Sequence, residues 1–203
     1  MTEYIKELGI YLSEGFLKVH KQLMKKLGAS AAILFSEMLQ RVEATGKTSF
    51  HFPSREIERI TGINKQTQQR VRKILKEAGL IKSEKVGRMV LFTIDDECYR
   101  ELGIYLSEGF CKIDKQLIKK LGISTAILFS EMLQRVEAAD TTSFHFRYRE
   151  IERITGINKK TQQRVRKILK EAGLIKSEKV GRMVLFTIDD ECYSNYRALI
   201  LKN

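Results

Sequence analysis

The chain has 203 residues, Lys+Arg 37 against Asp+Glu 25, a formal net charge of +12, 43% hydrophobic and 31% charged residues, one proline and no tryptophan. That balance excludes a disordered chain, and no apolar run approaches the roughly 20 residues a membrane span needs. Cys98, Cys111 and Cys192 form an odd, widely spaced set without a C-x-x-C pair, and His20, His51 and His145 show no metal-ligand spacing, so a disulfide framework, a metal site and a cofactor are not expected. Met1-Thr2-Glu3-Tyr4-Ile5-Lys6 lacks the basic patch and apolar core of a secretory signal. A cytoplasmic protein is the expectation.

Phe16, Val19, Leu23 and Leu27 stand at helical spacing, which predicts a helix over 16–27, although its first residues also suit a strand. Gly28 breaks it. Ser30 is the candidate N-cap of a second helix over 31–44, whose apolar set is Ile33, Leu34, Met38, Leu39 and Val42. Thr45-Gly46-Lys47 ends that helix. Ser49-Phe50-His51-Phe52 alternates and predicts a short strand with both Phe on one face. Ser54 is the expected cap of a short helix over 55–61, with Ile57 and Ile60 inward, and Gly62 is a turn glycine. Asn64 caps a helix over 65–78, and Gly79 sits where a C-cap glycine belongs. The runs 81–85 and 89–94, joined by Val86-Gly87-Arg88, predict a hairpin.

The sequence then repeats. Glu7 to Tyr99 aligns without a gap to Glu101 to Tyr193 at an offset of 94, with about 81 of 93 pairs identical. The period is too long for a solenoid repeat and is the size of a small domain. Two domains are expected, 1–99 and 100–203, the second with an extra helical C-terminal tail from Ser194 to Asn203. Natural duplication and an engineered fusion both fit the repeat; scattered substitutions such as Met24 to Ile118 and Ala29 to Ile123 favour drift after a natural duplication.

The order helix, helix, strand, helix, turn, helix, hairpin resembles a winged helix-turn-helix. The residues that carry this are the Thr61-Gly62-Ile63-Asn64 turn, the helix that ends Glu77-Ala78-Gly79-Leu80-Ile81, and the basic hairpin; the second copy repeats them from Thr155 to Ile175. Phe16 to Leu39 is similar to the N-terminal winged-helix domains of plasmid and phage replication proteins, and MarR-like repressors are a second resemblance. The resemblance implies a mainly α fold with small β-hairpin wings (α+β), two tandem winged helix-turn-helix domains, and double-stranded DNA as partner.

On a wheel of about 100° per residue, Thr67, Ile74, Leu75 and Ala78 fall within roughly 60° of Val71 and form the expected buried stripe. Lys65, Gln66, Gln69, Lys73 and Lys76 fall opposite, and no acid joins them until Glu77. Gln pairs with adenine edges, Lys with guanine or phosphate, and the first half of such a helix normally meets the bases. The candidate DNA-binding residues are Asn64, Lys65, Gln66, Gln69, Arg70, Arg72 and Lys73. Their second-copy partners are Asn158, Lys159, Lys160, Gln163, Arg164, Arg166 and Lys167, where Lys160 replaces Gln66. On the hairpins, Lys85, Arg88, Lys179 and Arg182 are candidates, with Lys82 and Lys176 on the same strands. Pro53-Ser54 becomes Arg147-Tyr148, which is expected to lose a cap worth about 1 kcal/mol and to add a cation and a phenol near the DNA; neutral drift is the alternative.

The second helix has more apolar residues than one face needs, so intramolecular pairing of the copies is expected. A two-fold-like pair would space its reading helices by about one DNA turn, roughly 34 Å. No nucleophile–base arrangement stands out, and Gly46-Lys47-Thr48-Ser49 lacks the first glycine of a phosphate loop, where Arg41 stands. Asp95, Asp96 and Glu97 are explained by a helix N-terminus. An enzyme, a membrane partner and a small-molecule ligand are not expected. The leading reading is a DNA-binding pseudo-dimer that represses a promoter or binds a plasmid or viral origin; the rival is a protein-interaction scaffold. An RNA or single-strand binder ranks lower because exposed aromatics are wanting.

Overall fold

The computed structural model describes residues 15–87, 89–95, 97, 109–180 and 183–194. The expectations for Arg88, Asp96, Cys98, Arg182, the first six residues and the tail beyond Ser194 lie outside them. The chain divides into two compact units. One is Leu17–Lys112; the other is Ile113–Asn203 together with Met1–Phe16. Each combines helices with a small antiparallel sheet.

In the Leu17–Lys112 unit, β1 (Phe16–His20) buries Leu17 and Val19 alternately and leads straight into α1 (Lys21–Leu27). The helical spacing of the apolar residues held only from Lys21 onward; the period-2 burial of Leu17 and Val19 governs the residues before it. Gly28, at φ +85, separates α1 from α2 (Ala29–Thr45). Ser30 is therefore inside the helix and not its cap: Gly28 holds the N-cap position without a side-chain bond, and its carbonyl accepts from the Ala32 amide at 3.1 Å. Every residue from Ala31 to Leu39 is buried, Ser36 and Glu37 included, so this middle stretch of α2 is enclosed on all sides rather than amphipathic, while Glu43 to Thr45 at its end are exposed.

Strand β2 (Ser49–His51) precedes α3 (Ser54–Thr61), α4 (Lys65–Glu77), β3 (Ile81–Val86) and β4 (Met89–Ile94). The sheet order is β2-β4-β3, with Phe92 opposite Phe50 on one side and Ser83 on the other. Helix α4 packs on α2 and on β3. Phe35, Phe52, Ile57, Leu75 and Phe92 are fully buried and form the core below α4. Ala78 is the one member of the predicted α4 stripe left exposed; it is the C-cap, where the chain turns away from the core. Gly79 follows at φ +71, and the Leu80 amide reaches back to the Leu75 carbonyl at 3.0 Å, a Schellman closure with buried Leu80 as its apolar contact.

The order repeats in β5 (Phe110–Asp114), which runs across the unit boundary after Lys112, and then in α5 (Lys115–Leu121), α6 (Ile123–Ala139), β6 (Ser143–His145), α7 (Tyr148–Thr155), α8 (Lys159–Glu171), β7 (Ile175–Val180) and β8 (Met183–Ile188) of the second unit. Its sheet order is β6-β8-β7. Two substitutions have local causes. Asp114 replaces His20 at a helix N-cap and accepts from the Gln116 and Leu117 amides at 2.7 and 3.0 Å, whereas His20 makes no side-chain cap bond. Asp140 replaces Gly46 at the end of α6 and adopts φ +47, a left-handed conformation that Asp tolerates better than most side chains.

Cys111 and Cys192 are buried thiols outside any disulfide. Burial, helped by the charges of Asp189, Asp114 and Glu191, pushes Cys192 up to about 12 from an ordinary 9.0. Native protein at pH 8 is thus expected to leave both thiols unlabelled by iodoacetamide, and denaturant to expose them. Because the folded value lies above the unfolded one, the Cys192 contribution to stability is complete below pH 9 and is lost as pH rises towards 12. Urea midpoints compared at pH 8 and pH 10.5 check this; a Cys192→Ala variant removes that component of the decline.

Candidate nucleic-acid interface

The site of the first unit begins with a braced turn between α3 and α4. Gly62 holds φ +66, a left-handed position, as the C-cap of α3. The Thr61 hydroxyl donates to the Ile57 carbonyl at 2.6 Å and accepts from the Ile63 amide at 3.2 Å. The Asn64 side chain caps α4 by accepting from the Thr67 amide at 2.9 Å, a contact worth about 1 kcal/mol. Asn64 is exposed, but its side-chain oxygen already serves the helix.

Gln68 locks the turn from beneath. It is 1% exposed, and its Nε2 donates to the Ile63 carbonyl at 2.7 Å and to the Ser54 carbonyl at 2.9 Å. The sequence reading missed it. The signal was present, since Gln68 precedes Val71 by three and so falls inside the buried stripe. Gln162 makes the same pair of bonds, to Ile157 and Tyr148, at 2.6 and 3.0 Å.

With the turn fixed, α4 buries Val71 and Leu75, half-buries Thr67 and Ile74, and turns Lys65, Gln66, Gln69, Arg70, Lys73 and Lys76 outward, all exposed. Lys73 pairs with Glu77 one turn on at 3.7 Å, and the Lys76 ammonium donates to the Ser83 carbonyl at 3.0 Å. In the second unit Lys159, Lys160, Gln163, Arg164 and Lys167 are likewise exposed on α8, and Asn158 caps it through the Thr161 amide at 2.9 Å. Lys167 repeats the pairing, with Glu171 at 3.7 Å. Such exposed pairs contribute little to stability, so a phosphate can draw these lysines away at small cost.

Arg72 and Arg166 are not on this surface. Arg72 is half-buried, donates to the Ser54 hydroxyl at 3.0 Å and the Gln68 side-chain oxygen at 3.3 Å, and lies 5.0 Å from the Phe92 ring centroid. Burial lowers its pKa. Arg166 is 7% exposed, between the rings of Tyr148 at 3.9 Å and Phe186 at 4.5 Å. Burial lowers its pKa too, against an opposing effect from Tyr148. Both arginines tie the start of one helix to the sheet beneath the next.

The same contacts correct the reading of Ser54. It is the first residue of α3 and makes no capping bond; Pro53 holds the cap position without one. The change to Arg147-Tyr148 therefore loses no cap. It replaces a hydroxyl partner of Arg72 by an aromatic face for Arg166.

On the hairpins Lys82 pairs with Asp95 at 3.1 Å, while Lys85, Lys176 and Lys179 are exposed. Val86, Met89 and Val180 expose about half their surface near the tips, at 47%, 52% and 47%. Asp95 also accepts from the Glu97 amide at 3.1 Å, as a helix cap would. Among the described residues no cluster of His, Cys, Asp and Glu could hold a metal ion, and no helix is long and apolar enough to cross a membrane. No protein-family model matches the chain, and no curated protein is significantly similar to it.

Proposed function

We propose that the chain is a cytoplasmic, sequence-specific binder of double-stranded DNA, built as two tandem winged helix-turn-helix domains that act as a covalent pseudo-dimer. The observation that carries the reading is the outward face of α4, repeated on α8. A capped helix behind a braced turn exposes Lys65, Gln66, Gln69, Arg70 and Lys73 together, while its apolar side is buried. Cations on that face would displace counterions from phosphates. The Gln side chains would pair with base edges in the major groove, and the lysines of the adjacent hairpin would add backbone contacts. The net charge of +12 favours the same partner. Repression of a promoter or binding of a replication origin is the proposed output.

Affinity for a duplex measured across salt concentrations tests this. Six phosphate contacts predict a slope of log K against log salt of about −5. A slope near zero would remove the electrostatic basis of the reading and bring forward a protein-interaction scaffold.

A further inference from the structure

The Leu17–Lys112 unit carries a cleft of about 370 Å³ where the starts of α3 and α4 meet β4. Pro53 and Met89 form its exposed apolar wall, with buried Phe52 behind them, Ser54 lies at its edge, and Arg55 and Lys65 supply two cations. Among the described residues no carboxylate lines it, and no acid pairs with Arg55 or Lys65. Ligand clefts run from about 300 to 1,000 Å³, so this one has room for a single nucleotide-sized group. Unpaired cations beside an apolar wall suit an anion carried on a compact, weakly polar body.

We propose that this cleft binds one sugar–phosphate unit, with the phosphate held by Arg55 and Lys65 and the sugar against Pro53 and Met89. The phosphate comes either from the backbone of a bound duplex, which rests on the reading above, or from a free nucleotide, which does not. The second unit is an internal comparison. There Tyr148 stands in place of Ser54, and its ring has the Arg166 guanidinium at 3.9 Å and the Lys159 ammonium at 5.6 Å. Lys159 is the counterpart of Lys65, so one of the two cations is already engaged by the phenol ring. Arg147 stands beside Tyr148 in place of Pro53, so the counterpart cleft trades an apolar wall residue and a hydroxyl for a cation and a phenol, and the two units grip a backbone unequally.

The full chain is titrated with thymidine 5′-monophosphate by calorimetry, and a duplex it binds is mapped by phosphate-ethylation interference. Ser54→Tyr and Arg55→Gln are compared with the parent; the first imitates the second unit and the second alters an exposed side chain. Either source of the phosphate supports the proposal. A backbone source shows as an interfering phosphate that disappears in both variants. A free-nucleotide source shows as one equivalent of the monophosphate, weakened at least about fivefold in both, and it stands even where no duplex binds and the DNA reading fails. Tyr148→Ser then adds a second equivalent or a second interfering phosphate. Ethylation and nucleotide binding both unchanged in Ser54→Tyr and Arg55→Gln would overturn the cleft while leaving duplex binding intact. Two equivalents bound by the parent chain would overturn the inequality of the units.

Discussion

Replacing Gln69 and Gln163 together with alanine is expected to weaken binding to the chain's preferred duplex by about 2–6 kcal/mol, at least about 30-fold in Kd. The reasoning starts on the helix. Lys65, Gln69 and Lys73 follow one another at intervals of four on the exposed side of α4, and Lys159, Gln163 and Lys167 do so on α8. Gln is the member of each stripe that offers both a donor and an acceptor, which is what an adenine edge requires. A good bidentate pair discriminates by about 1–3 kcal/mol, and the two substitutions share no hydrogen-bond partner. Because Gln carries no charge, the salt slope should stay as it was while sequence preference relaxes. Both side chains are exposed, so stability should change by less than about 0.5 kcal/mol. Fluorescence anisotropy on several duplexes across salt concentrations, with urea melts for stability, measures all four quantities. A proportional loss on every duplex would mean that the glutamines do not read bases.

Phe92→Ala is expected to cost about 3–5 kcal/mol of stability, because it empties the middle of the β2-β4-β3 sheet. Phe92 is fully buried, and Phe50 and Ser83 flank it in register. Its ring also lies 5.0 Å from the Arg72 guanidinium, a contact worth about 0.5–2 kcal/mol. Arg72 in turn touches Ser54 and Gln68, which holds the turn before α4. The loss should therefore reach DNA affinity as well, through a loosened turn. Phe186→Ala in the second unit should cost at least as much, since Arg166 is clamped more tightly, 4.5 Å from that ring and 3.9 Å from Tyr148. Urea denaturation gives both numbers; a change below about 1 kcal/mol for either would contradict the packing account.

These contacts mark where the sequence was readable. Features set by neighbours along the chain were legible: Asn64 as a cap, Gly79 after α4, and the hairpin over 81–94. Exposure of the Lys and Gln face followed from helical periodicity alone. Features set by distant groups were not. Ser54 has the chemistry of a cap, but its hydroxyl serves Arg72, 18 residues on. Arg72 falls at the edge of the stripe, where its long side chain can lie over an aromatic ring instead of entering solvent. Ser30 is a local exception: it was displaced by Gly28, which starts the helix two residues earlier than a cap at Ser30 would. The buried polar work of Gln68 was hidden by its residue type, although its spacing placed it inside.

The central claim is that both copies of the reading helix recognise bases. Selection of duplexes by the full chain from a random pool at about physiological salt, followed by sequencing of those retained, tests it most directly. Two enriched half-sites about 10 base pairs apart are predicted, differing slightly because Lys160 stands where the first copy has Gln66. Their inverted or direct orientation would define how the copies are arranged on DNA. A pool that stays random, with binding abolished at moderate salt, would contradict base reading and reduce the basic faces to non-specific attraction.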